Sequence, residues 1–134
     1  PLGTVLIGNK KIMKNAIRVR KVLGGGMRQV GFMAAAGIFA LDNNVDRLAG
    51  DHRRASEIGE VLGKQDYIKE VEPVETNIVI FYLKDPTAEA EFLGRLNNEK
   101  IRISNMGQGK LRIVTHLDYT ADMHHRFLAL LKMI

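Results

Sequence analysis

The chain has 134 residues, 46% of them hydrophobic, with 20 Lys and Arg against 15 Asp and Glu, and no Cys or Trp. That length and composition suit one ordinary domain's worth of chain with a sizeable core and exclude a disordered polypeptide. The lack of cysteine excludes a disulfide framework, a thiolate nucleophile and every zinc site that uses sulfur, and no apolar run approaches the roughly 18 residues that span a bilayer, so a soluble, cytoplasmic protein with no membrane partner is expected.

The formal charge of +5 is unevenly spread. Residues 1–41 carry Lys10, Lys11, Lys14, Arg18, Arg20, Lys21 and Arg28 and no acid, the first being Asp42. A local positive field of this kind suits a phosphate-bearing ligand as well as a polyanion. Within it, residues 2–8 form a short apolar run with β-branched members that ends on Gly8 and reads as a buried strand. Such a strand needs neighbours on both sides. None precedes it and the next strand-like segment comes only after Glu70, so the chain is expected to be a piece of a longer protein.

Asn9 can cap a helix with Ile12, Ala16, Val19 and Leu23 on one face and the basic residues mostly opposite. The three glycines at 24–26 stop it, because residues without Cβ favour turns over helix, and Met27, Arg28 and Gln29 are expected to restart it. From Val30 a stripe of Val30, Met33, Gly37, Leu41, Val45, Leu48, Ala55, Ile58 and Leu62 keeps helical spacing. One helix of that extent would be roughly 50 Å long at about 1.5 Å per residue, so two helices, or one bent at the Asn43-Asn44 pair, are expected. Arg47, Asp51, Arg53, Arg54, Glu57 and Glu60 read as a solvated face with some i,i+4 pairing.

The remaining third changes character. Residues 78–83 form a strong strand, and Asp85-Pro86 opens a helix with Ala88, Phe92 and Leu96 inward. Two further strands, 101–104 and 111–114, flank a loop with Gly107 and Gly109. Thr120 caps a last helix with Met123, Phe127, Leu130 and Ile134 on one face. Strand, helix, strand, strand, helix gives a small α+β layer, an antiparallel sheet covered on one side by two helices.

Several residues could carry chemistry, and each also has a plain structural reading. The segment from Lys21 through the glycines to Arg28 joins a helix end to a helix start, where free backbone N–H groups and two cations can hold a phosphate. A turn with incidental charges has the same sequence. Arg112 shares its sheet face with the alternate residues of its strand, near a loop, which suits bidentate capture of a carboxylate; a structural ion pair is the alternative. Arg102 is a weaker case of the same kind. His52, His116, His124 and His125 do not gather metal-ligand spacing, so no metal site is expected. His116 reads as a hydrogen-bonded structural histidine and Asn77 as a strand-start contact.

Taken in order and spacing, residues 1–8, the run Arg20-Lys21-Val22-Leu23-Gly24-Gly25-Gly26-Met27-Arg28-Gln29, the small residues 34–37, Thr76-Asn77-Ile78-Val79 and Arg112-Ile113-Val114-Thr115-His116-Leu117-Asp118 resemble the C-terminal part of the low-specificity L-threonine aldolases. The resemblance covers essentially the whole chain. It implies the aspartate-aminotransferase fold type and pyridoxal phosphate as cofactor, with cleavage of L-threonine or L-allo-threonine to glycine and acetaldehyde by retro-aldol chemistry. On the same ground residues 1–48 would end the large cofactor-binding domain as strand, helix, glycine loop and helix, and residues 49–134 would form the small C-terminal α+β domain.

The resemblance also implies roles for single residues. Arg112 would bind the substrate carboxylate. Arg28 and Lys21 would lie near the cofactor, Arg28 reaching the phosphate held by a neighbouring subunit, in a homodimer or homotetramer completed by an N-terminal half. The family's Schiff-base lysine would precede Pro1, which leaves no catalytic residue in this chain and implies that these residues alone are inactive. Two alternatives stand beside this: another pyridoxal-phosphate lyase of the same fold type, such as an aromatic β-eliminating lyase or a serine hydroxymethyltransferase, and a nucleic-acid-binding module on the basic helix. Aromatics at 6% of the chain, none beside that helix, speak against nucleic acid.

Overall fold

A computed structural model describes residues 4–134. They divide into two compact units, one ending at Asp46 and the other running Arg47–Ile134. In the first unit the expected strand is not formed: Leu2 and Gly3 lie outside the described residues, and residues 4–8 carry no regular structure and are exposed. A strand needs a partner for its backbone N–H and C=O groups, and no described residue pairs with this segment.

Helix α1 (Lys10–Val22) starts as expected, with the Asn9 side chain accepting the Ile12 N–H at 3.0 Å. It ends before the glycines, where Gly24 takes a left-handed φ of 81°. The restart comes later than Met27. Gln29 also has a left-handed φ, 54°, which no right-handed helix accommodates, so α2 begins only at Gly31 and runs to Asn44 (Gly31–Asn44). Neither helix buries a residue, and Ile12, Val22, Leu23, Phe32, Ile38 and Phe39 are exposed. Helix α3 (Leu48–Leu62) follows after a three-residue break just past the Asn pair.

The second unit is a four-stranded antiparallel sheet with helices on one face. Its strands are β1 (Ile68–Val71), β2 (Ile78–Leu83), β3 (Ser104–Asn105) and β4 (Lys110–Val114), in the order β1-β2-β4-β3. Strand β1 is absent from the sequence reading, because two of its four residues are charged and its apolar signal is only Ile68 and Val71. Strand β3 is shorter than expected, since residues 101–103 make no ladder. Asp85 caps a single 3₁₀ turn (Pro86–Ala88), its side chain accepting from the Thr87 N–H at 2.8 Å, and α4 (Glu89–Asn98) continues from it. Thr120 caps α5 (Ala121–Leu131).

Alternation along β2 turns Val79, Phe81 and Leu83 inward, and β4 adds Leu111 and Ile113. Against them pack Ala55, Ile58 and Leu62 of α3, Phe92 and Leu96 of α4, and Phe127 and Leu131 of α5. Three helices therefore build the core instead of two; α3 is the addition. The buried face of α5 is His124, Phe127 and Leu131, with Leu130 and Ile134 half-buried, whereas Met123 is exposed. Among the described residues no helix is long and apolar enough to cross a membrane.

Candidate functional site

Arg112 occupies the centre of β4. Its register partners are Ile80 on β2 and Ser104 on β3, so its Cα is held in the sheet from both sides. Alternation places it opposite the core face that Leu111 and Ile113 enter. Its Nε is buried with no hydrogen-bond partner, its Nη2 lies 3.5 Å from the Ser104 hydroxyl, and no carboxylate among the described residues forms an ion pair with it. An unpaired guanidinium with a buried orphan donor is costly unless an anion completes it. The structural ion pair weighed against carboxylate capture is not found.

The same residue lines a cavity of about 730 Å³, whose wall includes Arg102, Ser104, His116, Tyr119 and Phe127. That volume is in the range of small-molecule sites. Arg102 is exposed on the wall, while Arg126 of α5 is engaged at 2.5 Å by Glu99. The turn between β3 and β4 is tied to the start of α4: Glu89 accepts from the Gly109 N–H at 2.8 Å and from the Asn105 side chain. Gly109 is required there, because its φ is 76° and a Cβ would stand 3.2 Å from the Pro86 Cα.

Beyond Arg112 the chain leaves the sheet and becomes a second wall, residues 115–119. Thr115 is fully buried; its hydroxyl donates to the Asp51 carbonyl at 2.7 Å, and its N–H and C=O pair with the Asn77 carbonyl (2.9 Å) and side-chain amide (2.7 Å). Arg54 donates to the Tyr119 carbonyl at 2.9 Å. His116 is exposed, and its Nδ1 accepts the Asp118 N–H at 3.2 Å, which makes it a turn residue. Part of the expected solvated face of α3 is in fact this anchor: Asp51 is buried and paired with Arg47 at 2.8 Å.

Glu57 reaches the last anchor. His124, 3% exposed, has Nε2 2.6 Å from Glu57 Oε2 and Nδ1 3.1 Å from the Tyr119 hydroxyl. The two ring nitrogens of His124 thus each have one partner, Glu57 on one side and Tyr119 on the other. Burial pushes the Tyr119 hydroxyl up to about 12, with Arg54 pulling it down and Glu57 raising it further, so it stays a protonated donor. The chain Tyr119, His124, Glu57 thus runs unbroken through both ring nitrogens of His124. The expected inner face of α5 has Met123 where the structure has His124, the position that counting back three residues from Phe127 and seven from Leu131 reaches.

The other expected residues belong to the first unit. Lys21 and Arg28 are both exposed and flank the glycine segment. Lys21 lies along that segment, close enough that a Cβ on Gly26 would meet its Cδ at 2.6 Å. Helix α2 has no side-chain cap, which leaves the N–H groups of its first turn free to meet an anion. Two cations and uncapped N–H donors are the donor set a phosphate group requires. No group of three or more metal-ligating side chains exists among the described residues.

Residues 1–86 match the model of the beta-eliminating lyase family. The chain is 40% identical over 124 residues to the low specificity L-threonine aldolase of Escherichia coli K12, covering 91% of this chain and 35% of that protein. It is 36% identical over 129 residues to the low-specificity L-threonine aldolase 1 of Arabidopsis thaliana, covering 93% and 36%. It is 34% identical over 122 residues to the low-specificity L-threonine aldolase of Candida albicans, covering 91% and 32%. The chain spans about a third of the length of the curated relatives it matches.

Proposed function

Since the chain belongs to the beta-eliminating lyase family, we propose that it is part of a pyridoxal-phosphate-dependent aldolase that cleaves L-threonine or L-allo-threonine to glycine and acetaldehyde. The observation that carries this is Arg112: a cation with no carboxylate partner among the described residues, its Nε buried and unsatisfied, on the wall of a cavity of about 730 Å³. A planar guanidinium pairs with a carboxylate through two parallel hydrogen bonds, which fixes the orientation of an amino acid as well as its position.

Lys21 and Arg28 would lie near the cofactor, Arg28 and the uncapped first turn of α2 reaching the phosphate of the cofactor held by a neighbouring subunit in a homodimer or homotetramer. When bound, the cofactor supplies an electron sink for the pair left by the broken Cα–Cβ bond. The chain's own residues then have two tasks, to anchor the phosphate and to hold the substrate carboxylate so that the scissile bond points the right way. Residues 1–48 would serve the first as the end of a large domain, and residues 49–134 the second as the small domain, in a cytoplasmic enzyme. On the resemblance the Schiff-base lysine would precede Pro1, so a polypeptide of these 134 residues by itself is expected to be inactive.

The test is acetaldehyde release from L-threonine by the full-length protein loaded with pyridoxal phosphate, beside its Arg112→Gln variant. Loss of a charge-assisted bidentate pair is worth about 2–3 kcal/mol, so KM should rise on the order of 100-fold. A variant with the wild-type KM, or a wild type that ignores threonine but turns over another amino acid in a substrate panel, would overturn the assignment.

A further inference from the structure

The polar chain that joins α3 to the wall beyond Arg112 has no part in the function proposed above. Its geometry is closed: Glu57 Oε2 to His124 Nε2 at 2.6 Å, His124 Nδ1 to the Tyr119 hydroxyl at 3.1 Å, and Arg54 to the Tyr119 carbonyl at 2.9 Å. His124 sits on the buried stripe of α5 with Phe127 and Leu131, where an apolar side chain would pack without a desolvation cost. His116, Leu117 and Asp118 are exposed, so the segment is fastened inward only at its two ends, Thr115 and Tyr119.

Those two ends matter because of what they bracket. Thr115 comes three residues after Arg112, and Tyr119 lines the same cavity as Arg112. A shift of Tyr119 therefore changes the wall of the cavity that Arg112 also lines.

We propose that Glu57, His124 and Tyr119 are positioning residues for amino-acid binding: the chain of hydrogen bonds from α3 through His124 fixes the 115–119 wall of the cavity that Arg112 lines and so sets the width of the carboxylate site. The proposal rests on the Arg112 assignment above. None of the three touches the reacting bond; they act through the wall. Tyr119 contributes a neutral donor to the histidine, not a proton to substrate, since its hydroxyl is already committed to Nδ1.

The test uses the full-length, cofactor-loaded enzyme and glycine as the probe, with Kd from calorimetry and amide hydrogen exchange at residues 115 and 119, whose N–H groups are bonded to the Asn77 and His116 carbonyls. The variants are His124→Leu, which keeps the packing and removes both bonds, His124→Gln, which restores a donor toward Glu57 and an acceptor toward Tyr119, and Tyr119→Phe. Loss of one or two hydrogen bonds corresponds to a change of about three- to tenfold. His124→Leu and Tyr119→Phe should weaken glycine by that factor and speed exchange at the wall, His124→Gln should recover most of the affinity, and the cofactor's absorbance should stay unchanged.

Faster exchange with unchanged glycine Kd would reduce the chain to a structural bond and overturn the proposal. Should His124→Leu fail to fold, Tyr119→Phe decides, because it deletes a single hydroxyl. Because glycine binding is read without turnover, an enzyme that fails to cleave threonine strikes the aldolase assignment, whereas glycine affinity that is insensitive to both variants strikes the positioning role.

Discussion

Thr115 and Asp51, 64 positions apart in sequence, are joined by a buried hydrogen bond of 2.7 Å from the threonine hydroxyl to the aspartate's backbone carbonyl. That bond ties the end of β4 to the first turn of α3 just where the cavity wall begins. Thr115→Val keeps the volume and removes the donor. It should cost about 1–2 kcal/mol in urea-induced unfolding, and an unchanged midpoint would show that the tie is redundant with the Asn77 pair.

Phe81 and Ile78 lie on the same strand and face opposite ways, Phe81 fully buried and Ile78 40% exposed. Phe81→Ala should lose about 3–5 kcal/mol, because it removes a ring packed edge-on against Phe92 and leaves a cavity. Ile78→Ala should stay within about 0.5 kcal/mol. Similar costs at the two positions, measured by denaturant unfolding, would contradict the one-sided core.

On the open face of the sheet the Tyr82 hydroxyl (2.7 Å) and Lys110 Nζ (3.0 Å) share Glu72 Oε1. These bonds hold the Glu72 carboxyl below its usual value and the Lys110 ammonium, near Tyr82 and Glu72, above its own. A lowered carboxylate stabilises above its unfolded value and loses that as pH falls through the folded one. A raised lysine stabilises below its unfolded value and loses that as pH rises through the folded one. The gap in stability between wild type and Glu72→Gln should therefore be widest near neutrality and close at both extremes. Because the side chains are partly exposed, added salt should narrow it.

Among the described residues the Arg112 side chain makes one long hydrogen bond, to Ser104. Arg112→Leu should leave the unfolding midpoint unchanged or raise it, since an unsatisfied buried donor is removed, while binding of a carboxylate ligand disappears. A large loss of stability would mean that the arginine serves the fold. Thermal unfolding and calorimetric titration with glycine separate the two outcomes.

Local signals in the sequence carried much of the architecture. Asn9, Asp85 and Thr120 each cap the turn that their side chains announce, and the break after Asn44 falls where the helical stripe stumbles. What stayed illegible depended on contacts distant in sequence. β1 exists because Glu70 and Val71 pair with Tyr82 and Phe81, and α3 joins the core because Ile58 and Leu62 meet the sheet. The left-handed Gln29 that delays α2 carries no compositional warning. At the site, Arg112 could be picked out as a cation in an apolar strand, whereas His124 hid in a helix whose inner face was placed one residue off, and its partner Glu57 lies 67 positions away.

The five consecutive register pairs between β2 and β4 have a consequence for how this protein can vary. Side chains alternate with a period of two, so a slip of one residue would drive Arg112 into the core and turn Leu111 and Ile113 out onto the open face of the sheet. Burial of those two neighbours thus selects which residue of the strand stands on the opposite face. Mutational drift in the core that preserves the ladder leaves Arg112 in place, and drift that shifts it forfeits the core and the placement of Arg112 in a single event.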